Sequence, residues 1–127
     1  MPKVSNIVAV VDDDDLMREA LQNLLQAFDY VVELYESAEA FLAARATTKA
    51  GCLVSDIHLG GLTGIELGRA LKAAGSRLPI IFMTASTDPG LRARAMDLGC
   101  VAFLGKPFAP LALAEALNAA LNRCPTV

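Results

Sequence analysis

Five short apolar runs, four of them without polar alternation, constrain this chain more than any other feature. They are Ile7-Val8-Ala9-Val10-Val11, Val31-Val32-Glu33-Leu34-Tyr35, Cys52-Leu53-Val54-Ser55, Ile80-Ile81-Phe82-Met83 and Val101-Ala102-Phe103-Leu104. They recur roughly every twenty to twenty-five residues, the spacing of repeated βα units. A strand that does not alternate apolar with polar residues is covered on both faces, the condition of a strand in a parallel sheet. The second run carries Glu33 at its centre and reads as an edge strand.

Between the runs the apolar period becomes helical. Leu16, Ala20, Leu21, Leu24, Leu25 and Phe28 line one face of a first helix. Ser37 can cap a second, with Ala38, Phe41 and Leu42 turned inward. Thr63-Gly64-Ile65-Glu66 has capping-box spacing for a third helix carrying Ile65, Leu67 and Leu71. Asp88-Pro89 is a cap followed by proline at the first helical position of a fourth. A fifth starts near Pro110, carries Leu113, Leu117 and Leu121, and ends by Pro125. Strict β-α alternation requires right-handed crossovers and places helices on both faces of the sheet.

The 127 residues fit one domain. A hydrophobic fraction of 54% against 20% charged residues supports a folded core and excludes a disordered chain. Net charge is −3, from 11 Lys+Arg and 14 Asp+Glu, and no basic stripe appears, so nucleic-acid binding by this domain alone is not expected. Ile7–Val11 is far too short to span a membrane, and the start Met1-Pro2-Lys3-Val4-Ser5-Asn6 lacks the apolar stretch of a signal peptide. Cys52, Cys100 and Cys124 have no CxxC spacing and read as free thiols of a reducing compartment. The expected location is cytoplasmic.

In an open α/β sheet, ligands bind beyond the carboxyl ends of the strands, where the strand order switches. The first strand is followed by Asp12, Asp13, Asp14 and Asp15, the third by Asp56, the fourth by Thr84 and the fifth by Lys106. Asp14 and Asp15 suit helix capping. Four consecutive carboxylates repel one another, and hard oxygen ligands of this kind suit Mg2+. Acid, acid, hydroxyl and amine at the same point of four units fit phosphoryl transfer onto a carboxylate. In that scheme Asp56 is the nucleophile, Asp12 and Asp13 hold the ion, and Lys106 and Thr84 contact phosphoryl oxygens.

Five segments carry a family resemblance: Val10-Val11-Asp12-Asp13, Leu53-Val54-Ser55-Asp56, Leu59 with Gly64, Met83-Thr84-Ala85, and Lys106-Pro107-Phe108. In this order and spacing the chain resembles the receiver domain of bacterial two-component response regulators, over residues 4 to 123. The resemblance implies a flavodoxin-like, doubly wound (βα)5 fold with a five-stranded parallel sheet in the order 2-1-3-4-5. It implies Asp56 as phosphoacceptor, with Lys106 and Thr84 as its catalytic companions. It implies Mg2+, with Mn2+ as an alternative ion, on Asp12, Asp13, Asp56 and the backbone carbonyl of His58. Thr84 and Phe103 fall at the switch positions, and the Lys106–Pro107 bond is a candidate cis peptide.

The implied donor is a histidine kinase or phosphotransfer protein. The implied output is a phosphorylation-dependent homodimer or an output protein, bound through helix four, strand five and helix five. Helix five adds its own hint, because Leu111 lies outside the inward set and only Glu115, Asn118, Asn122 and Arg123 supply polarity. The chain reads as a single receiver domain over 1–127 without an effector module, and as a switch that modifies only itself.

Two departures stand out. Leu59-Gly60-Gly61 replaces the usual Leu/Met-Pro, which should loosen that loop. His58 is the chain's only histidine, and its ring reads as an exposed loop group in preference to a metal ligand. A haloacid-dehalogenase-like aspartyl phosphatase is the alternative, because Asp12-x-Asp14 has its nucleophile-acid spacing. It lacks a later acidic motif, since Glu115 is the sole acid after Lys106. An FMN module would need a phosphate cradle where four aspartates stand. A receiver-like docking module that takes no phosphate is the remaining alternative.

Overall fold

The computed structural model describes residues 6–121. The expected core limits Val4 and Arg123, together with Asn122, Cys124 and Pro125, lie outside the described residues. Strands and helices alternate as β1 (Ile7–Val11), α1 (Asp15–Ala27), β2 (Val31–Tyr35), α2 (Ala38–Ala44), β3 (Cys52–Asp56), α3 (Gly64–Ala73), β4 (Ile80–Thr84), α4 (Pro89–Asp97), β5 (Ala102–Gly105) and α5 (Pro110–Leu121). The strands are parallel, in the order β2-β1-β3-β4-β5. The expected α/β fold and strand order are both observed.

Successive strand residues point to opposite faces, so each buried strand feeds two cores. Val8, Val10, Val54, Ile81 and Met83 meet Leu21 and Leu25 of α1 and Leu113 and Leu117 of α5. Ala9, Val11 and Leu53 meet Phe41 of α2 and Leu67 and Leu71 of α3. Phe82 and Ile57 meet Ile65 of α3 and Leu91 and Ala95 of α4. Helices α1 and α5 therefore cover one face, and α2, α3 and α4 the other. Edge strand β2 tolerates Glu33 because Tyr35 and Thr48 both donate hydroxyl hydrogen bonds to its Oε1, at 2.9 and 2.6 Å.

The caps follow the sequence signals. Asp14, Ser37 and Asp88 accept from backbone N–H groups of Leu16, Ala40 and Gly90. Thr63 and Glu66 form the reciprocal capping box, each side chain accepting from the other's backbone N–H. Three helices close through left-handed residues, with φ of 70° at Asp29, 80° at Gly75 and 75° at Gly99.

Four expectations need correction. Leu16 is 74% exposed and Ala20 is also exposed, while Met17 joins the core; the inward stripe of α1 runs Met17, Leu21, Leu24, Leu25, Phe28 because the helix starts at Asp15. Asp56 and Thr84 are the last residues of β3 and β4, inside the ladder, because they pair with Met83 and Gly105. Strand β5 begins at Ala102, whose pairing with Ile81 opens that ladder. The apolar surplus of α5 is largely consumed inside, with Ala116 and Ala120 buried beside the leucines, which leaves Leu111 as its exposed large side chain.

Gly64 sets how closely α3 approaches the end of β3. A Cβ there would overlap the Asp56 carbonyl oxygen and stand 2.9 Å from Ile57 Cα. Both obstacles are backbone and cannot swing away. Gly64→Ala is therefore expected to destabilise the fold by about 1–3 kcal/mol, despite the better helix propensity of alanine. An unchanged urea midpoint would refute this account of the glycine.

Candidate functional site

The register places two carboxylates side by side. Val11 pairs with Ser55, so Asp12 at the end of β1 lies next to Asp56 at the end of β3. This is the point where the strand order switches, with β2 on one side of β1 and β3 on the other. Asp12 is fully buried and Asp56 nearly so, at 0% and 8% exposure. Asp12 Oδ1 accepts from Asp14 N–H at 2.9 Å, and Asp56 Oδ1 from His58 N–H at 3.1 Å.

Lys106 reaches both acids from the far side. Its Nζ lies 2.9 Å from Asp56 Oδ2 and 3.2 Å from Asp12 Oδ2. The lysine is placed by β5: its N–H donates to the Thr84 carbonyl at 2.7 Å, and the bond to Pro107 is cis, as anticipated. Burial alone would lower the Lys106 pKa. Its hydrogen bond and charge attraction to Asp56, reinforced by Asp12, outweigh that and hold it above the ordinary 10.5, so the group is an ammonium. Asp12 moves the other way for an acid. Burial raises its carboxyl above the ordinary 3.8, and the Asp14 N–H and Lys106 offset this only in part.

Asp13 completes the acidic set from the solvent side. Carboxylate oxygens of Asp12, Asp13 and Asp56 lie within 4.8 Å of one another, and Asp13 is exposed. Three hard oxygen donors open to water on one side suit an ion that keeps part of its hydration, as Mg2+ does. The other two aspartates are structural. Asp14 caps α1, and Asp15 pairs with Arg18, whose guanidinium also donates to the Asp12 carbonyl at 2.6 Å.

Thr84 is 1% exposed. Its Oγ1 accepts from Ser86 N–H at 3.0 Å and so holds the turn between β4 and α4. Phe103 lies apart from the acids. It is half-buried, packs on the cluster of Ile57, Phe82 and Leu91, and carries the Arg92 guanidinium 5.7 Å from its ring centroid. The His58 side chain is exposed, and its ring is not in the acidic cluster.

The structure thus brings Asp12, Asp13, Asp56 and Lys106 together, sets Thr84 on the neighbouring strand end, and leaves Phe103 and the His58 ring outside. Sequence reasoning did not single out Arg18, Glu39 or Arg92. The three-residue step from Asp15 to Arg18 signals a helical pair. Nothing local signals the contacts of Glu39 or Arg92, because both reach other segments.

Comparison with known proteins places this geometry in context. The family model described as the response regulator receiver domain matches residues 8–118. The transcriptional regulatory protein FixJ of Azorhizobium caulinodans is 41% identical over 116 residues, covering 91% of this chain and 55% of that protein. The regulator TdiR of Thauera aromatica is 38% identical over 117 residues, covering 92% of this chain and 52% of its own. The chain spans about half the length of these curated relatives. Among solved structures, FixJ-N superposes with a TM-score of 0.88 at 31% identity over the whole of both chains. The Vibrio cholerae chemotaxis protein CheY4 gives 0.84 at 26% identity, over 94% of this chain and all of that one. Among the described residues, no helix is long and apolar enough to cross a membrane.

The raised Asp12 carboxyl makes a stability prediction. The folded state holds its proton more tightly than the unfolded chain, so ionised Asp12 opposes folding at pH 7. That penalty is complete above the folded pKa and vanishes below the unfolded value near 3.8. Asp12→Asn keeps an acceptor for Asp14 N–H, and Lys106 keeps Asp56 but meets an amide NH2 in place of Asp12 Oδ2, which trims the gain. Without divalent ions the variant should gain on the order of 1 kcal/mol at pH 7, a usual size for one polar substitution. The gain should disappear as pH falls toward 3.8. Urea titrations at the two pH values check it.

Proposed function

The chain belongs to the response regulator receiver domain family, and from that premise we propose that Asp56 is its phosphoacceptor. A receiver domain of a two-component response regulator is a phosphoacceptor signalling module and not an enzyme for an external substrate. The observation that carries the assignment is the Lys106 ammonium held between Asp12 and Asp56. An Asp56 oxygen attacks the phosphorus of a phosphohistidine on a histidine kinase or phosphotransfer protein. An O–P bond forms, the N–P bond breaks, and the imidazole nitrogen leaves with the electron pair and takes up a proton.

Each neighbour has a task in this reading. Lys106 neutralises charge on the transferring group, and its third N–H is left for a phosphoryl oxygen. Asp12, Asp13 and Asp56, with the His58 backbone carbonyl, would hold Mg2+. The ion, when bound, supplies positive charge that lets an anionic donor approach three carboxylates. Asp14 is occupied as the α1 cap, which weighs against a phosphatase that uses Asp12-x-Asp14 as nucleophile and acid.

The switch starts at Thr84. Its Oγ1 accepts from Ser86 N–H and keeps its own O–H to donate, so a shift of Thr84 toward a phosphoryl oxygen pulls on Ser86. Ser86 Oγ in turn accepts from Asp88 N–H at 3.1 Å, and Asp88 caps α4 through Gly90 N–H at 2.9 Å. A movement at the acids is thereby handed along three hydrogen bonds to the start of α4. Phe103 and Arg92 join α4 to β5, so repacking α4 changes the α4–β5–α5 surface.

Two outcomes test the proposal. Wild type incubated with acetyl phosphate and Mg2+ should gain one phosphoryl mass by intact-mass spectrometry, and little without the ion; Asp56→Asn should gain none while melting as a folded protein. Retained phosphorylation in that variant would remove Asp56 from the role. Sedimentation with a beryllofluoride mimic should reveal self-association, or hydrogen exchange should change across residues 84–121. If neither occurs, the α4–β5–α5 switch is wrong.

A further inference from the structure

The β3–α3 loop, residues 57–63, contains two successive glycines and yet uses neither for a left-handed turn. Positive φ is confined among the glycines to Gly75 and Gly99. The space beside Gly61 is filled instead by Glu39, from the first turn of α2. Glu39 Oε2 accepts from Leu62 N–H at 3.1 Å. A Cβ at Gly61 would overlap that same oxygen and lie 3.1 Å from Glu39 Cδ. On the other side of the loop, a Cβ at Gly60 would lie 3.7 Å from Asp13 Oδ2, in ordinary contact.

The loop therefore runs between a carboxylate of the acidic cluster and a carboxylate of α2. It starts immediately after Asp56, and the N–H of His58 within it holds Asp56 Oδ1. Two adjacent glycines make such a segment conformationally costly to hold. A charge-assisted hydrogen bond to its far end restricts it. We infer that Glu39 is a positioning residue, whose carboxylate pins the Gly60–Leu62 stretch and thereby fixes the cation-binding end of the β3–α3 loop. It reaches the ion only through the loop. Gly61 is the complementary half of the device, a residue without a side chain where the carboxylate must sit.

The inference rests on the cation site proposed above, and the test keeps the two separable. Mg2+ binding is measured by calorimetry on the whole chain for wild type, Glu39→Ala, Glu39→Gln, Gly61→Ala and the double variant Glu39→Ala/Gly61→Ala. Amide exchange at Leu62 is followed without the ion. Glu39→Ala should weaken Mg2+ by about five- to tenfold, less than the full worth of a hydrogen bond to a charged group because the effect reaches the ion only through the loop, with faster exchange at Leu62 and a little-changed melting temperature.

Glu39→Gln keeps the acceptor but not the charge and should fall between wild type and Glu39→Ala. Gly61→Ala should resemble Glu39→Ala, and the double variant should be no worse than either. Equal weakening by Gln and Ala would mean that charge alone acts, and would overturn the tether. Unchanged affinity in Glu39→Ala would overturn it while leaving the cation site standing. No Mg2+ binding by wild type would overturn the cation site and this inference together.

Discussion

One ammonium between two buried carboxylates governs the carboxyl end of this sheet. Asp12 and Asp56 are brought together by the β1–β3 register, which the hydrophobic pattern of both strands enforces. Each acid lacks water on most sides, and the charge of Asp56 adds to the burial that raises Asp12. Lys106 is the group that makes the juxtaposition tolerable, and it arrives from the fifth strand. The order β2-β1-β3-β4-β5 is what lets it reach across β4. Removing that shared ammonium would leave both buried acids uncompensated, a loss that typically costs about 3–5 kcal/mol. The arrangement is thus a local liability that the two apolar cores sustain, as functional sites commonly are.

The raised pKa values of Asp12 and Lys106 follow from the same geometry and say different things. Asp12 is raised by burial, so its ionised form is held at a cost. Lys106 is raised although burial opposes it, so its partners dominate. A cation that binds Asp12, Asp13 and Asp56 would relieve the first without replacing the second, because exposed Asp13 opens the cluster to solvent while Lys106 holds the Oδ2 atoms of Asp12 and Asp56. Ion and lysine can then act on different oxygens of a transferred group.

Most of this architecture was legible in the residues. The unalternated strands fixed a sheet covered on both faces, and Glu33 marked the edge. Capping signals at Ser37, Thr63-Glu66 and Asp88-Pro89 act within a few residues, so they appear where the sequence puts them. The acids, Thr84 and Lys106 were found because strand ends are the places where such a fold exposes chemistry. Long-range contacts were not legible. Glu39 meets Leu62 across 23 positions, and Arg92 meets Phe103 through tertiary packing. Leu16 was misread because an apolar residue at a helix start can point either way until the first turn is fixed.

The surplus of apolar residues on α5 drew attention to that helix, but the packing shifts the weight of the proposed switch to α4. Helix α5 is anchored by Leu113, Ala116, Leu117, Ala120 and Leu121. Helix α4 buries Leu91 and Ala95 and leaves Met96 52% exposed. An element with few buried anchors opens at lower free energy than one with many. The start of α4 is also the end of the hydrogen-bond chain from Thr84, through Ser86 to the Asp88 cap. Its side is tied to Phe103 by the exposed Arg92, a contact of the order of 0.5–1 kcal/mol at such sites. In the switch proposed above, the element able to take a second packing is therefore α4, with β5 following through Phe103.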